Sequence, residues 1–127
     1  MPTDLIGPDD AASFDGHCGV VREYLGSQSR FEPPEDVTID VVDFYEEGAR
    51  EHYHTDATEY YLVIEGQGTI DLEPVEGTRR TVSVEANDLL VVPPKTWHAG
   101  TPWNDTLTVV VFSPAEISDE NTVIREE

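Results

Sequence analysis

Arg50-Glu51-His52-Tyr53-His54-Thr55-Asp56-Ala57-Thr58-Glu59 holds two of the four histidines of the chain, in an H-x-H spacing. On a strand, residues i and i+2 share a face, so His52 and His54 aim their imidazoles side by side. Glu59 follows after a short interval and opens the run Tyr60-Tyr61-Leu62-Val63-Ile64, aromatic and β-branched as strands prefer. The interval suits a tight turn and a return strand, which predicts that Glu59 reaches across to both histidines. Two imidazoles and one carboxylate on one point make a divalent-metal site with positions left open. Arg50 is expected on the face of His52, where it would hold a substrate carboxylate or phosphate. Tyr61 shares the face of Glu59 and is the candidate proton donor, with Glu51 and Glu65 as weaker acid–base candidates.

A second cluster lies downstream. Asn87-Asp88-Leu89-Leu90-Val91-Val92-Pro93-Pro94-Lys95-Thr96-Trp97-His98 reads as a turn, a short apolar strand, a proline-stiffened turn and then His98. His98 is the expected fourth ligand. Lys95, the only lysine, reads as an exposed turn residue. Trp97 and Trp103 flank His98 and are expected to pack against the sheet or its rim. His17 adjoins Cys18, but strand neighbours point to opposite faces, so the two make a poor nucleophile–base pair.

Outside these clusters the chain reads as short strands. Residues 1–16 form a loose arm rich in Pro, Gly, Asp and Ala. Gly19–Leu25 is the first strand, residues 26–36 with Pro33-Pro34 a loop, and Val37–Val41 an alternating strand with one buried face. Glu46-Glu47-Gly48 turns the chain into the histidine strand. Glu59–Glu65 is a strand that Gly66-Gln67-Gly68 is expected to break. Thr69–Leu72 and Thr81–Val84 flank a hairpin connection at residues 75–78. Leu89–Val92 and Thr106–Phe112 complete the sheet, and the acidic tail 113–127 either covers an edge strand or frays. Short strands at regular spacing, punctuated by Gly and Pro, argue an all-β sandwich or barrel.

The two clusters together resemble the cupin family. His52, His54, Glu59 and Gly66 match its first motif, and Pro93 and His98 match its second; the likeness runs from about Val37 to Phe112. Glu46, Asn87 and Lys95 stand where the family usually has glycine, and Pro102 where it often has asparagine. The resemblance implies one domain over 1–127, a double-stranded β-helix or jelly-roll barrel with its core at 37–112. It also implies one divalent transition metal (Fe, Mn, Ni, Cu or Zn) held by His52, His54, Glu59 and His98. Three histidines plus one glutamate is the set used by the family's dioxygenases, so dioxygenase chemistry on a small oxygenated metabolite is the first expectation. Isomerases or epimerases, lyases and non-catalytic small-molecule binders share the fold and are the alternatives. Small cupins often pair through an edge strand, so a homodimer through Gly19–Leu25 is expected.

Composition bounds the rest. Twenty-seven acidic residues stand against seven basic ones, a formal net charge of −20. Such a surface repels nucleic acid and anionic lipid, which excludes both as expected partners. It also repels itself, and molar salt, with a screening length of about 3 Å, removes that repulsion. A salt-accumulating halophile is therefore the expected source. The single cysteine allows no intrachain disulfide, and the first residues lack a basic, then apolar, leader pattern; both fit a cytoplasmic protein. One carboxylate on a divalent ion leaves a net positive centre, which favours an anionic or enolate-like substrate.

Overall fold

The computed structural model describes residues 5–31 and 35–126. Its elements are β1 (Ala12–Asp15), β2 (Gly19–Leu25), β3 (Thr38–Phe44), β4 (His52–His54), β5 (Glu59–Pro74), β6 (Arg80–Glu85), β7 (Leu89–Val92), β8 (Thr96–Ser113) and β9 (Thr122–Ile124). No α-helix occurs among the described residues, and one 3₁₀ turn, Asp119–Asn121, precedes β9. All strand pairs are antiparallel. The sheet runs β1-β2-β3-β8-β4-β9, and β5 pairs with β6, β7 and β8. The expected all-β barrel architecture is thus present as a curled sheet.

Alternation drives the curl. Tyr61, Val63, Ile70 and Leu72 of β5 point inward with Leu107, Val109 and Val111 of β8, and all are buried. Burying such side chains contributes roughly 1.5–3 kcal/mol each relative to exposure. Between them on the outer face stand Leu62, Ile64 and Phe112, all exposed.

Four expectations are corrected. The glycines at 66–68 do not end a strand; β5 runs through them for 16 residues. Its register slips beside Gly66 instead, bending the strand around the barrel. Gly66 sits at φ +87°, and a Cβ there would lie 1.9 Å from the Thr106 carbonyl oxygen, so only glycine lets the strands approach. The last long strand begins at Thr96, not Thr106, which puts His98 on β8. The N-terminal arm contains β1, which pairs residue for residue with β2. Gly19–Leu25 is therefore not an edge, and the sheet-edge dimer expected there has no free strand to use. The tail covers an edge rather than fraying: β9 pairs with β4 across His52–His54. Residues 1–4 of the arm, 32–34 of the Pro33-Pro34 loop, and Glu127 lie outside the described residues.

Two turns keep their shape without glycine. Asn87 and Lys95 both adopt positive φ, +78° and +55°. These are the positions where the family resemblance calls for glycine.

Candidate metal centre

Strand geometry assembles the ligands. His52 and His54 share the inner face of β4, His98 sits directly opposite His52 on β8, and Glu59 opens β5. All four are buried. The ligand nitrogens of the three histidines lie within 4.8 Å of one another, with ring centroids 4.3, 5.1 and 5.5 Å apart. Glu59 Oε1 lies 3.1 Å from both His54 Nε2 and His98 Nε2.

The far side of each ring fixes its tautomer. His52 Nδ1 faces the Arg50 carbonyl at 3.0 Å, and His98 Nδ1 faces the Thr96 carbonyl at 2.8 Å. His54 Nδ1 faces Thr122 Oγ1 at 3.0 Å. The Thr122 hydroxyl donates its own hydrogen to the Ser118 carbonyl, so it accepts from His54. Each Nδ1 thus carries the proton, and each Nε2 turns a lone pair inward.

That arrangement fits a cation. A carboxylate oxygen 3.1 Å from two lone-pair nitrogens is repulsive unless a positive species sits among them. His98 Nε2 meets no hydrogen-bond geometry with Glu59 and is a buried nitrogen without a hydrogen-bond partner among the described residues. Burial, then the neighbouring His98, pushes His52 down to about 3, so that ring is neutral and ready to ligate. Tyr61 donates weakly to Glu59 Oε1 at 3.5 Å. Burial and then Glu59 hold its phenol well above the ordinary range, so it stays protonated.

A cavity of about 350 Å³ opens over this centre. His52, His54, Glu59 and Tyr61 line it, with Val21, Val42, Phe44 and Val111 as apolar walls. Arg50 is not among its lining residues. The strand begins only at His52, so alternation does not carry back to position 50, and the Arg50 side chain is exposed. What Arg50 gives the site is its carbonyl, which also accepts from the Cys18 thiol at 3.6 Å. Burial pushes that thiol up to about 12, which leaves Cys18 inert beside His17.

The other acid–base candidates lie elsewhere. Glu65 and Lys95 are exposed. Glu51 is ion-paired to Arg79 and Arg125 in a second cleft, of about 690 Å³. No histidine lines that cleft. Trp97 packs under Arg125 and edge-on to Tyr53, while Trp103 is exposed. Three contributors escaped sequence reading: Thr122, and the carboxyls of Glu23 and Asp40 that line the cavity. For Asp40 the sequence alternation pointed the other way: Val37, Ile39 and Val41 read as the buried set, whereas Thr38 and Val42, on the side of Asp40, are the buried residues.

A β-barrel whose strands gather three histidines and a glutamate around one point defines the class of protein. The Cupin domain family model matches residues 43–112, more than half of the chain, and the protein belongs to the cupin family. No curated protein matches the sequence significantly. Among solved structures, a substituted form of Streptomyces PAC13 with uridine is similar at a TM-score of 0.79 and 17% identity, covering 98% of this chain and 92% of that one. PAC13 is described as a nucleoside dehydratase. An oxalate decarboxylase from Lactobacillus farciminis, in a formate complex, is similar at a TM-score of 0.74 and 17% identity, over 91% of this chain and 34% of that one. A protein from Planctomyces limnophilus is similar at 0.71 and 17% identity, over 96% of each chain. At such identities the likeness is one of fold.

Proposed function

We propose that this cupin is a metal-dependent enzyme acting on a small, oxygen-rich metabolite. The observation that carries the reading is the set of three Nδ1-anchored imidazoles whose Nε2 atoms converge beside a buried carboxylate. His52, His54, Glu59 and His98 would hold one divalent ion of iron, manganese, nickel, copper or zinc. Such an ion, when bound, polarises a substrate oxygen or, if redox-active, supports dioxygen chemistry. Tyr61 steadies the Glu59 carboxylate and presents a neutral hydroxyl to the cavity. The apolar walls exclude bulk water from the reacting end of the substrate.

The lining changes the expected substrate. It includes Glu23, Asp40 and Asp119 but no arginine or lysine. An anion drawn to the metal would meet these carboxyls, so a neutral hydroxy-carbonyl compound, sugar or nucleoside suits the cavity better. The same lining supports a second reading, isomerase or lyase chemistry, because the cavity holds carboxyls beyond the metal ligands. Dioxygenase chemistry remains the first reading of the ligand set.

The test is elemental analysis of anaerobically purified protein, then oxygen uptake and product analysis against sugars, nucleosides, diketones and hydroxy acids. About one metal per chain with oxygen uptake supports the dioxygenase. Metal with oxygen-independent turnover supports the isomerase or lyase. Tight binding without turnover identifies a binding module, and protein that neither contains nor takes up metal refutes the whole reading.

The outer face of β5, β7 and β8 is the surface for a second copy. Phe112, Tyr60 and Val91 form one row across it, and Val110, Leu62 and Leu89 the next. Most of these apolar side chains are exposed on a chain that is otherwise strongly acidic. We read the protein as a homodimer through this face, working in the cytoplasm of a salt-accumulating cell.

A further inference from the structure

Two carboxyls face each other inside the cavity. Glu23 of β2 and Asp40 of β3 are direct cross-strand partners, on the inward face shared with Val21 and Val42. Glu23 is 3% exposed, and both residues line the cavity above the metal ligands. Like charges directly opposite one another are unfavourable even on an open sheet, and burial makes full ionisation of both untenable.

Their surroundings divide the roles. Glu23 Oε1 accepts the backbone N–H of Gln28 at 2.6 Å, and the turn at Gly26 packs so close that an added Cβ would lie 2.6 Å from the carboxyl carbon. That contact suits a carboxylate. Asp40 Oδ1 is buried with no hydrogen-bond partner among the described residues, which suits the protonated partner of a pair. The groups facing Asp40 all disfavour its negative charge. Burial acts first, then Glu23 from β2 and Glu59 from β5; together they hold Asp40 well above the usual carboxylate range. Tyr61, also on β5, lines the same cavity as a neutral phenol. From β8 the register partner is Val111, which is apolar. The cavity is independently marked as a binding place by His52, His54 and Glu59, which line it, and by the orphaned His98 Nε2 that lies 3.1 Å from Glu59.

We propose that Glu23 and Asp40 share a single proton and form the acid–base group of this site, acting on a neutral hydroxy-carbonyl compound. The inference rests on the reading of the cavity as a substrate site. In the step, the Asp40 O–H bond breaks as an O–H bond forms on the substrate carbonyl oxygen, drawing on the C=O π electrons. The C–H bond on the adjacent carbon breaks, its electron pair becomes the C=C bond of an enol, and its proton arrives on the vacated carboxyl pair. The pair ends with one proton, as it began, and no oxidant or reductant is consumed.

The experiment uses the full chain loaded with zinc, with Asp40→Asn and Glu23→Gln as variants. Infrared spectroscopy should show a protonated-carboxyl band that persists above pH 7 and vanishes in Asp40→Asn. Zinc affinity should stay within about twofold in both variants, since neither residue is a ligand. With dihydroxyacetone as probe, zinc-loaded protein should exchange substrate C–H for deuterium in D₂O faster than zinc alone, and each variant should lose at least about tenfold of that rate. Absence of the band overturns the shared proton. Exchange no faster than with free zinc, or unchanged in both variants, overturns the acid–base role. Failure of the unsubstituted protein to bind zinc is a different result: it sinks the metal reading, while the infrared band still judges the pair.

Discussion

A residue's neighbours decide its chemistry more than its identity does. Thr122 is the example at the metal centre, because its hydroxyl fixes which nitrogen of His54 carries the proton. Thr122→Val should weaken metal affinity by about 10–100-fold, while Thr122→Ser should stay near the parent; competition with a chromogenic chelator measures both. Asp40 gives a pH prediction. Its folded pKa lies above its ordinary value of 3.8, so between the two the folded state binds more protons than the unfolded one. Its contribution to stability therefore falls as pH rises above about 4. Asp40→Asn should remove that decline and stabilise the protein by about 1–2 kcal/mol at pH 8, read from urea midpoints across pH. The meeting of His52, His54, Glu59 and His98 was legible because each belongs to a local pattern: alternation for His52 and His54, a return strand for Glu59, a stiff turn for His98. Arg50 misled because the pattern was extended two residues past the start of the strand. Glu23 and Asp40 were illegible because their meeting depends on the register of two strands joined by a long loop.

Among the elements, the turns into and out of β7 carry the site at one end and tolerate backbone conformations that side chains resist. Lys95 holds φ +55°, and its amide donates to the His54 carbonyl at 2.8 Å. The turn thereby ties the β4 histidines to the approach to His98. Lys95→Gly should relieve the left-handed backbone and raise stability by about 0.5–1 kcal/mol, with metal affinity unchanged. Thermal unfolding with and without metal would show it, and a loss of stability would mean that the lysine side chain holds the turn by contacts of its own. Sequence reading placed most strands but cut β5 and β8 too short. Glycine inside a strand looks like an ending, whereas here it is the hinge that lets one strand wrap the barrel. The short β1 and β9 were missed because three or four residues of mixed polarity carry no periodic signal; tertiary pairing alone makes them strands.

For the molecule as a whole, charge and one apolar face set opposite tendencies. With a net charge of −20, self-repulsion should fade with added salt, so the melting temperature should rise steadily from dilute buffer to molar potassium chloride. A melting temperature that falls with salt would remove the halophilic reading. The outer face of β5 and β7 should bury itself against its copy, giving a dimer by sedimentation. Val91→Glu adds a charge to this face and should yield a folded monomer; a Val91→Glu protein that remains dimeric would locate the interface elsewhere. The charge was plain in the sequence. The apolar outer face was not, because alternation shows that a strand has two faces without showing that both are apolar across three neighbouring strands.

The Thr122 contact to His54 spans 68 positions of chain. A ribosome that has made every ligand-bearing residue has therefore still not made the group that steadies one of them. A nascent chain halted before residue 122 should capture metal weakly and without selectivity, and the finished polypeptide should bind it firmly. On the proposed reading, the choice of ion would then fall to the completed chain rather than to the nascent one.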